Sequence, residues 1–373
     1  MNRRNTLTLV VSCSIVLAAV SFPEAQPPAH EDRPLTVMTW NLYLGAPLEP
    51  LFEVDSPLAL AFEGTALLAT VQQTNFHERA EAIADQIALK QPDLIGLQEA
   101  VLWRMQSPGD FAGGNFFPNA ETVVYDFLQI LLETLETKGL NYDVLAVVEA
   151  GDFEGPALRP GSFTATDDVR MTDRHVILAR TDVQEGRFEY ANAQARNFHA
   201  NVTLEVMGVP IDILSSWASV DVNTPNGTLR FVTTHLSEHS EVVRLVQIGE
   251  LLAGPLDTDL PVILVGDLNS NASAEDLANE APTYDFLTSH GFADVWLEVG
   301  TGHGFTARQD SDLLSPESTL DQRIDLVLYR GDLTALNSDV VGEAQEDRTS
   351  SGLWPSDHAG VSAELMLLPG GGQ

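Results

Sequence analysis

Asn41, Glu99, His235, Asp267 and Asn269 each stand where a short apolar run stops, and Asp357-His358 stands just before another begins. Asp325 is set inside the run Arg323-Ile324-Asp325-Leu326-Val327-Leu328. A carboxylate within an apolar strand needs a partner, because stripping one member from a buried pair costs about 3–5 kcal/mol. His235 and His358 are the natural partners for Asp325. The set as a whole suits phosphoester hydrolysis assisted by a hard divalent cation. Oxygens of Glu99, Asn41 and Asp357 are donors that Mg²⁺ favours, with Mn²⁺ or Ca²⁺ as alternatives. Such a cation polarises a phosphoryl oxygen. A histidine would donate to phosphate oxygens while an acid such as Asp267 activates water.

Each residue alone also has a structural reading. Asn41 fits a turn after a strand, Glu99 a surface acid, His235 a satisfied strand end, and Asp357-His358 a solvated loop. Asp267 and Asn269 fit an Asx-turn that caps a helix. Two histidines and a set of oxygen donors, nearly all tied to strand ends, have no common structural explanation. No serine or cysteine elbow is present. Gly113-Gly114 and Gly370-Gly371-Gly372 match neither P-loop nor dinucleotide spacing.

The elements that must position these residues are short strands alternating with helical patterns. Residues 35–40 read as a strand ending at Asn41, and 94–97 as a strand ending at Gln98-Glu99. Between them, 78–89 places Ala80, Ile83, Ala84, Ile87 and Ala88 on one helical face. A second helical pattern covers 120–138 and stops at Gly139, followed by strands at 142–148 and 176–180. Asn226-Gly227 signals a hairpin turn before the strand 228–233. A helix over 242–252, a buried strand over 261–265, a short helix over 283–290 and strands at 324–329 and 360–367 complete the pattern. Mixed strands and helices without a separating linker imply one α/β domain over 35–368, helices covering a sheet core. Three stretches, 43–75, 104–120 and 150–172, read as loop insertions that would carry specificity.

Length and charge narrow the function further. The chain has 373 residues, 44% apolar and 20% charged, enough for a large core. Acidic residues outnumber basic ones 54 to 19, for a net charge of −35. Such a field repels phosphate backbones and anionic bilayers, so no stable nucleic-acid or membrane partner is expected, and the protein is expected to be monomeric. Arg3-Arg4, an apolar run over 7–20 and small residues at Ala19 and Ser21 describe a signal peptide over 1–21. The run is shorter than the ~20 residues a membrane span needs. A Pro-rich linker, 22–34, follows, and 369–373 form a tail. A secreted or periplasmic location follows. Cys13, the sole cysteine, lies in the removable segment, so the mature chain has no disulfide or thiol chemistry.

The ordered series Thr39-Trp40-Asn41, Leu97-Gln98-Glu99, Thr234-His235-Leu236, Gly266-Asp267-Leu268-Asn269, Arg323-Ile324-Asp325 and Ser356-Asp357-His358 resembles the endonuclease/exonuclease/phosphatase superfamily. The resemblance spans 35–367. It implies a four-layer α/β sandwich of DNase I type, two central mixed sheets flanked by helices, with a metal site at one sheet edge. It implies that Asn41 and Glu99 are metal-proximal, with Asp357 an accessory metal acid. Asp267 is then the residue that activates or positions water, Asn269 orients the phosphate, and His235 and His358 face it. Asp325 is then the orienting partner of a histidine. Several branches carry a further phosphate contact between the Glu and first His motifs. Arg174 or His175, in Thr172-Asp173-Arg174-His175, stands in that interval; a surface Asp-Arg pair is the competing reading.

Thr234-His235-Leu236 is similar to the DNase I-like, sphingomyelinase-like, inositol-phosphatase-like and deadenylase-like branches, whereas the exonuclease III pattern has asparagine there. Secretion and acidity favour a diesterase acting on phospholipid headgroups, and Phe111, Phe116 and Phe117 in one glycine-containing loop fit contact with lipid or a loop pinned to the core. An extracellular DNase is the competing enzyme reading, and a non-catalytic acidic binding module the reading from another class. Sequons at Asn201, Asn226 and Asn271 matter only in a eukaryotic secretory host. His303 reads as a loop residue, and His77 and His199 as structural.

Overall fold

Strand Leu35–Asn41 buries all seven of its residues. Its alternating side chains divide between two layers, as a period of two requires. Met38 and Trp40 pack among helices, while Leu35 and Val37 pack against a second sheet. The computed structural model describes residues 33–182, 188–272 and 281–369. The expected signal peptide, most of the linker and residues 370–373 lie outside the described residues.

The first sheet runs in the order Leu333–Val341, Gly360–Leu367, Leu35–Asn41, Leu94–Gln98, Thr166–Arg180, Leu102–Gln106, Thr122–Asp126, with Tyr142–Leu158 also paired to Thr166–Arg180. The second runs Ala293–Asp294, Asp325–Arg330, Val262–Asp267, Gly227–His235, Ser216–Thr224, Glu189–Asn197. Among the described residues each sheet holds one parallel pair, Leu35–Asn41 beside Leu94–Gln98 and Gly227–His235 beside Val262–Asp267. Helices make those crossovers, as parallel pairing demands. Phe76–Lys90 buries Ala80, Ile83, Ala84 and Ile87 at helical spacing. Glu241–Leu252 starts on the Ser240 cap and buries Ile248 and Leu251. Pro282–Ser289 adds Tyr284 and Leu287 to the same outer layer.

The sheets face one another through Val37, Leu94 and Ile177 on one side and Phe231, Ile263, Val265 and Val327 on the other. Helix, sheet, sheet, helix is the four-layer α/β sandwich. The sheets come very close at Gly96, where an added Cβ would lie 2.4 Å from Thr233 Oγ1 and 2.8 Å from Val265 Cγ2. Among the described residues no helix is long and apolar enough to cross a membrane.

The expected insertions are built otherwise. Residues 43–75 contain the 17-residue helix Pro57–Gln73, begun by the Ser56 cap. The stretch 150–172 is most of a long hairpin, Tyr142–Leu158 against Thr166–Arg180. Of 104–120, only the part after Gln106 is loop. The helical pattern over 120–138 divides at Asp126: Thr122–Asp126 is a strand, and the Asp126 side chain then accepts from Gln129 N to begin the helix Phe127–Thr137. Strands Glu189–Asn197, Val202–Val206, Val209–Ile213, Ser216–Thr224 and Leu333–Val341 were not read from the sequence.

Candidate active site

The layer between the sheets changes character at one end. Strand Leu35–Asn41 sends Leu35, Val37 and then, by parity, Asn41 toward the second sheet. Phe231, Thr233 and His235 follow the same parity, as do Ile263, Val265 and Asp267, and Val327 and Asp325. His235 lies opposite Asp267 in the ladder, and Asp267 opposite Asp325. The apolar layer therefore ends in a polar cluster at the carboxyl ends of the parallel strands, where open α/β sheets place ligands.

Asp267 Oδ2 is the focus of this cluster. Asn41 Nδ2 donates to it at 3.2 Å, His235 Nε2 lies 3.5 Å away and His358 Nδ1 3.9 Å away. Asp267 Oδ1 accepts from Asn269 N at 2.9 Å. Asn269 adopts a left-handed φ of 47° and its amide donates to Leu236 O, closing the turn after the strand. Asp325 Oδ2 lies 2.8 Å from His358 Nδ1. That is one of the two partners expected for the buried acid. His358 is largely withdrawn from solvent, which by itself would lower its pKa, but the charges of Asp325 and then Asp357 raise it well above the ordinary histidine value.

A second group surrounds Glu99, itself at a left-handed φ of 56°. Its Oε1 accepts from Asn41 Nδ2 at 2.9 Å and its Oε2 from Leu44 N at 2.7 Å. Burial, then the charge of Asp357, pushes the Glu99 carboxyl up to about 8. Burial likewise raises Asp357. Two part-buried carboxylates, one raised by the charge of the other, fit a bound divalent cation, whose charge would offset the desolvation of both. Asn41 Oδ1 accepts from Tyr43 N at 3.0 Å, so in this arrangement Asn41 orients Glu99 and Asp267 through its amide nitrogen.

Arg174 is not brought to the cluster. On strand Thr166–Arg180, Ile177 and Ala179 face the second sheet, and Asp173 and His175 share their parity. Arg174 faces the opposite way, where Nε donates to Ala100 O at 2.7 Å and Nη2 pairs with Asp126 Oδ1 at 2.5 Å. His175, the other residue of that interval, does reach the site. Its Nε2 lies 3.1 Å from Asp173 Oδ2 and 3.3 Å from His235 Nδ1, and its Nδ1 contacts Ser216 Oγ. Asp173 is the member of this relay that sequence reasoning passed over; strand parity with His175 is the signal that finds it.

Two cations were missed as well. Arg79 is fully buried and donates to Leu42 O, Tyr43 O, Thr74 O and Pro355 O, tying the segment after Asn41 to the one before Asp357. Arg244 donates to Ser237 O and Glu238 O just after His235, and the charge of Asp267 acts on its guanidinium.

This fold and this cluster define a class, the metal-dependent phosphoester hydrolases. The sequence pattern described as the endonuclease/exonuclease/phosphatase family matches residues 38–358, and the chain belongs to that family. No curated protein matches the chain significantly. Solved structures share the fold. A mannosyl-6-phosphatase from Bacteroides thetaiotaomicron is 18% identical with a TM-score of 0.53, covering 89% of this chain and 99% of that one. An endonuclease/exonuclease/phosphatase protein from Beutenbergia cavernae is 22% identical with a TM-score of 0.51, covering 90% and 72%. TDP2 from D. rerio, complexed with a single-strand DNA product, is 15% identical with a TM-score of 0.50, covering 89% and 98%.

Proposed function

We propose that the protein is a secreted, Mg²⁺-dependent phosphodiesterase acting on phospholipid headgroups. The chemistry rests on the convergence of Asn41, His235 and His358 on Asp267 Oδ2. Asp267 is the base that holds and deprotonates the attacking water, and Asn41 keeps its carboxylate aimed. His358, kept protonated by Asp325, donates to a phosphate oxygen through its free ring nitrogen. His235, backed by His175 and Asp173, faces the same phosphate, with Asn269 and Arg244 at the rim. Glu99 and Asp357 would hold the cation. A bound Mg²⁺ supplies polarisation of a phosphoryl oxygen and offsets the charge that develops there.

The substrate class rests on the arm beyond the site. Leu102–Gln106 continues in the direction of Leu94–Gln98 along the same long strand, pairing with its residues 168–172. The hairpin and the 107–121 loop thus extend past the sheet edge on the side where Glu99 lies. At that end Phe116, Phe117 and Phe163 are 67%, 82% and 77% exposed, which suits contact with an apolar surface. Phe111 packs edge-on against Phe116 and Phe117 stays free of the core. Arginines on the arm are already paired, Arg104 and Arg170 with Asp152 and Arg159 with Asp167, so the arm offers little free positive charge to a polynucleotide.

Phosphocholine release from sphingomyelin vesicles, with Mg²⁺ and then with excess EDTA, tests this reading. EDTA-sensitive release is expected. Cleavage of plasmid DNA without phosphocholine release would replace it with the nuclease reading.

A further inference from the structure

A second group of oxygens lies away from the active site, at the base of the loop that carries Phe116 and Phe117. Carboxylate oxygens of Asp110, Glu154 and Asp168 all lie within 4.8 Å of one another. Asp168 is on the same strand as Asp173 but five residues away, about 17 Å along an extended chain. The two groups are therefore distinct.

Each acid is held by one oxygen and leaves the other free. Asp168 Oδ2 accepts from Asp110 N and Phe111 N. Glu154 Oε2 accepts from Asn119 N at 2.7 Å and Ala120 N at 2.8 Å. Asp110 Oδ2 accepts from Asn115 Nδ2 and Asn119 Nδ2, both at 3.1 Å. The remaining oxygens, Asp110 Oδ1, Glu154 Oε1 and Asp168 Oδ1, are buried and take no hydrogen bond, and the side-chain carbonyl of Asn119 is in the same state. Asp168 has no exposed surface at all. Buried oxygens left unsatisfied are costly, and three adjacent carboxylates add mutual repulsion. Three neighbouring anionic donors, with the unpaired carbonyl of Asn119 on a residue bonded to two of them, carry a deficit that a cation would remove.

We propose that Asp110, Asn119, Glu154 and Asp168 bind a calcium ion that fixes the 107–121 loop to the long hairpin. Ca²⁺ takes six to eight oxygens at about 2.3–2.6 Å, so oxygens on opposite sides of it are about 4.6–5.2 Å apart, in keeping with the observed spread. Mg²⁺, at about 2.0–2.1 Å with several retained waters, fits a site of three carboxylates and a carbonyl less well. The ion would clamp segments from three parts of the chain: the loop itself, Tyr142–Leu158 and Thr166–Arg180. Its loss would release the exposed phenylalanines without touching Asp267 or His358.

Calorimetric titration of the full chain with CaCl₂, compared with Glu154→Gln and Asp110→Asn, tests the proposal without reference to activity. Each variant is expected to bind one Ca²⁺ fewer per chain. In EDTA each should be at least as stable as the wild type, because a repelling charge has gone, while Ca²⁺ should raise the wild-type Tm more. Amide exchange in 107–121 of the wild type should speed by tenfold or more when Ca²⁺ is removed. Unchanged stoichiometry in both variants, or exchange in 107–121 indifferent to Ca²⁺, would overturn the proposal. Variants less stable than the wild type in EDTA would overturn it too, since the carboxylates would then be serving the fold directly.

Discussion

Asp325 and His358 come from different sheets and meet at 2.8 Å, Asp325 Oδ2 to His358 Nδ1. Asp325 begins a strand of the second sheet, and His358 stands two residues before a strand of the first. The contact is a clasp between the sheets as well as the setting of a histidine's charge. Asp325→Asn should keep the fold and lower kcat/KM by about 100-fold to 10⁴-fold, the usual range for a disabled acid–base group. Because the Asp325 charge raises the His358 pKa, its removal should move the alkaline limb of the pH profile to lower pH. Ring-proton titration of His358 in the metal-free protein would show the same downward move; an unmoved limb would contradict the assignment.

Metal binding should be proton-linked through Glu99. Burial holds its carboxyl up at about 8, well above an unperturbed glutamate near 4.3. A raised carboxyl favours the metal-free fold at low pH, and that stability is lost as pH rises through about 8. The cation binds the ionised form, so its affinity should strengthen over the same interval. The gap in Tm between Mg²⁺-loaded and EDTA-treated protein is expected to widen from pH 5 to pH 8, and Glu99→Gln should flatten it. A gap independent of pH would remove Glu99 from the cation site.

The arm makes a separate prediction. Replacing Phe116 and Phe117 together by serine should raise KM on phospholipid vesicles by about tenfold or more, with kcat and turnover of a soluble diester unchanged. Equal loss on both substrates would mean that the tip serves the fold instead of the surface contact.

Stability has its own test at Gly96, where the sheets touch. Gly96→Ala would force Thr233 and Val265 aside, and overpacking of this kind costs about 1–3 kcal/mol. Denaturant unfolding should show that loss with an unchanged m-value.

Much of the site was legible because it obeys two simple rules. Parallel strands end at Asn41, Gln98-Glu99, His235 and Asp267, so polar residues at those ends marked it, and a buried acid in an apolar strand announced the need for a partner. Arg174 was misplaced because its candidacy came from sequence interval alone; period-two parity turns it from the face that Asp173 and His175 share. Helix Pro57–Gln73 was hidden because its apolar residues, Leu58, Leu60, Phe62, Leu67, Leu68 and Val71 among them, surround it and give no one-sided stripe. The long hairpin was hidden because it is only part-buried and rich in acids and glycine, which reads as loop. The outer strand Glu189–Asn197 carries mostly exposed polar residues and alanines, which leaves no apolar alternation to see.

The most direct test of the account is turnover of a soluble phosphodiester, bis(p-nitrophenyl) phosphate, with Mg²⁺ by the wild type and by Asp267→Asn. The substitution keeps the side chain's shape and its bond from Asn269 N. A fall in kcat/KM of about 10³-fold or more, at unchanged Tm, is the expected result. Activity within tenfold of the wild type would contradict the claim that Asp267 is the base.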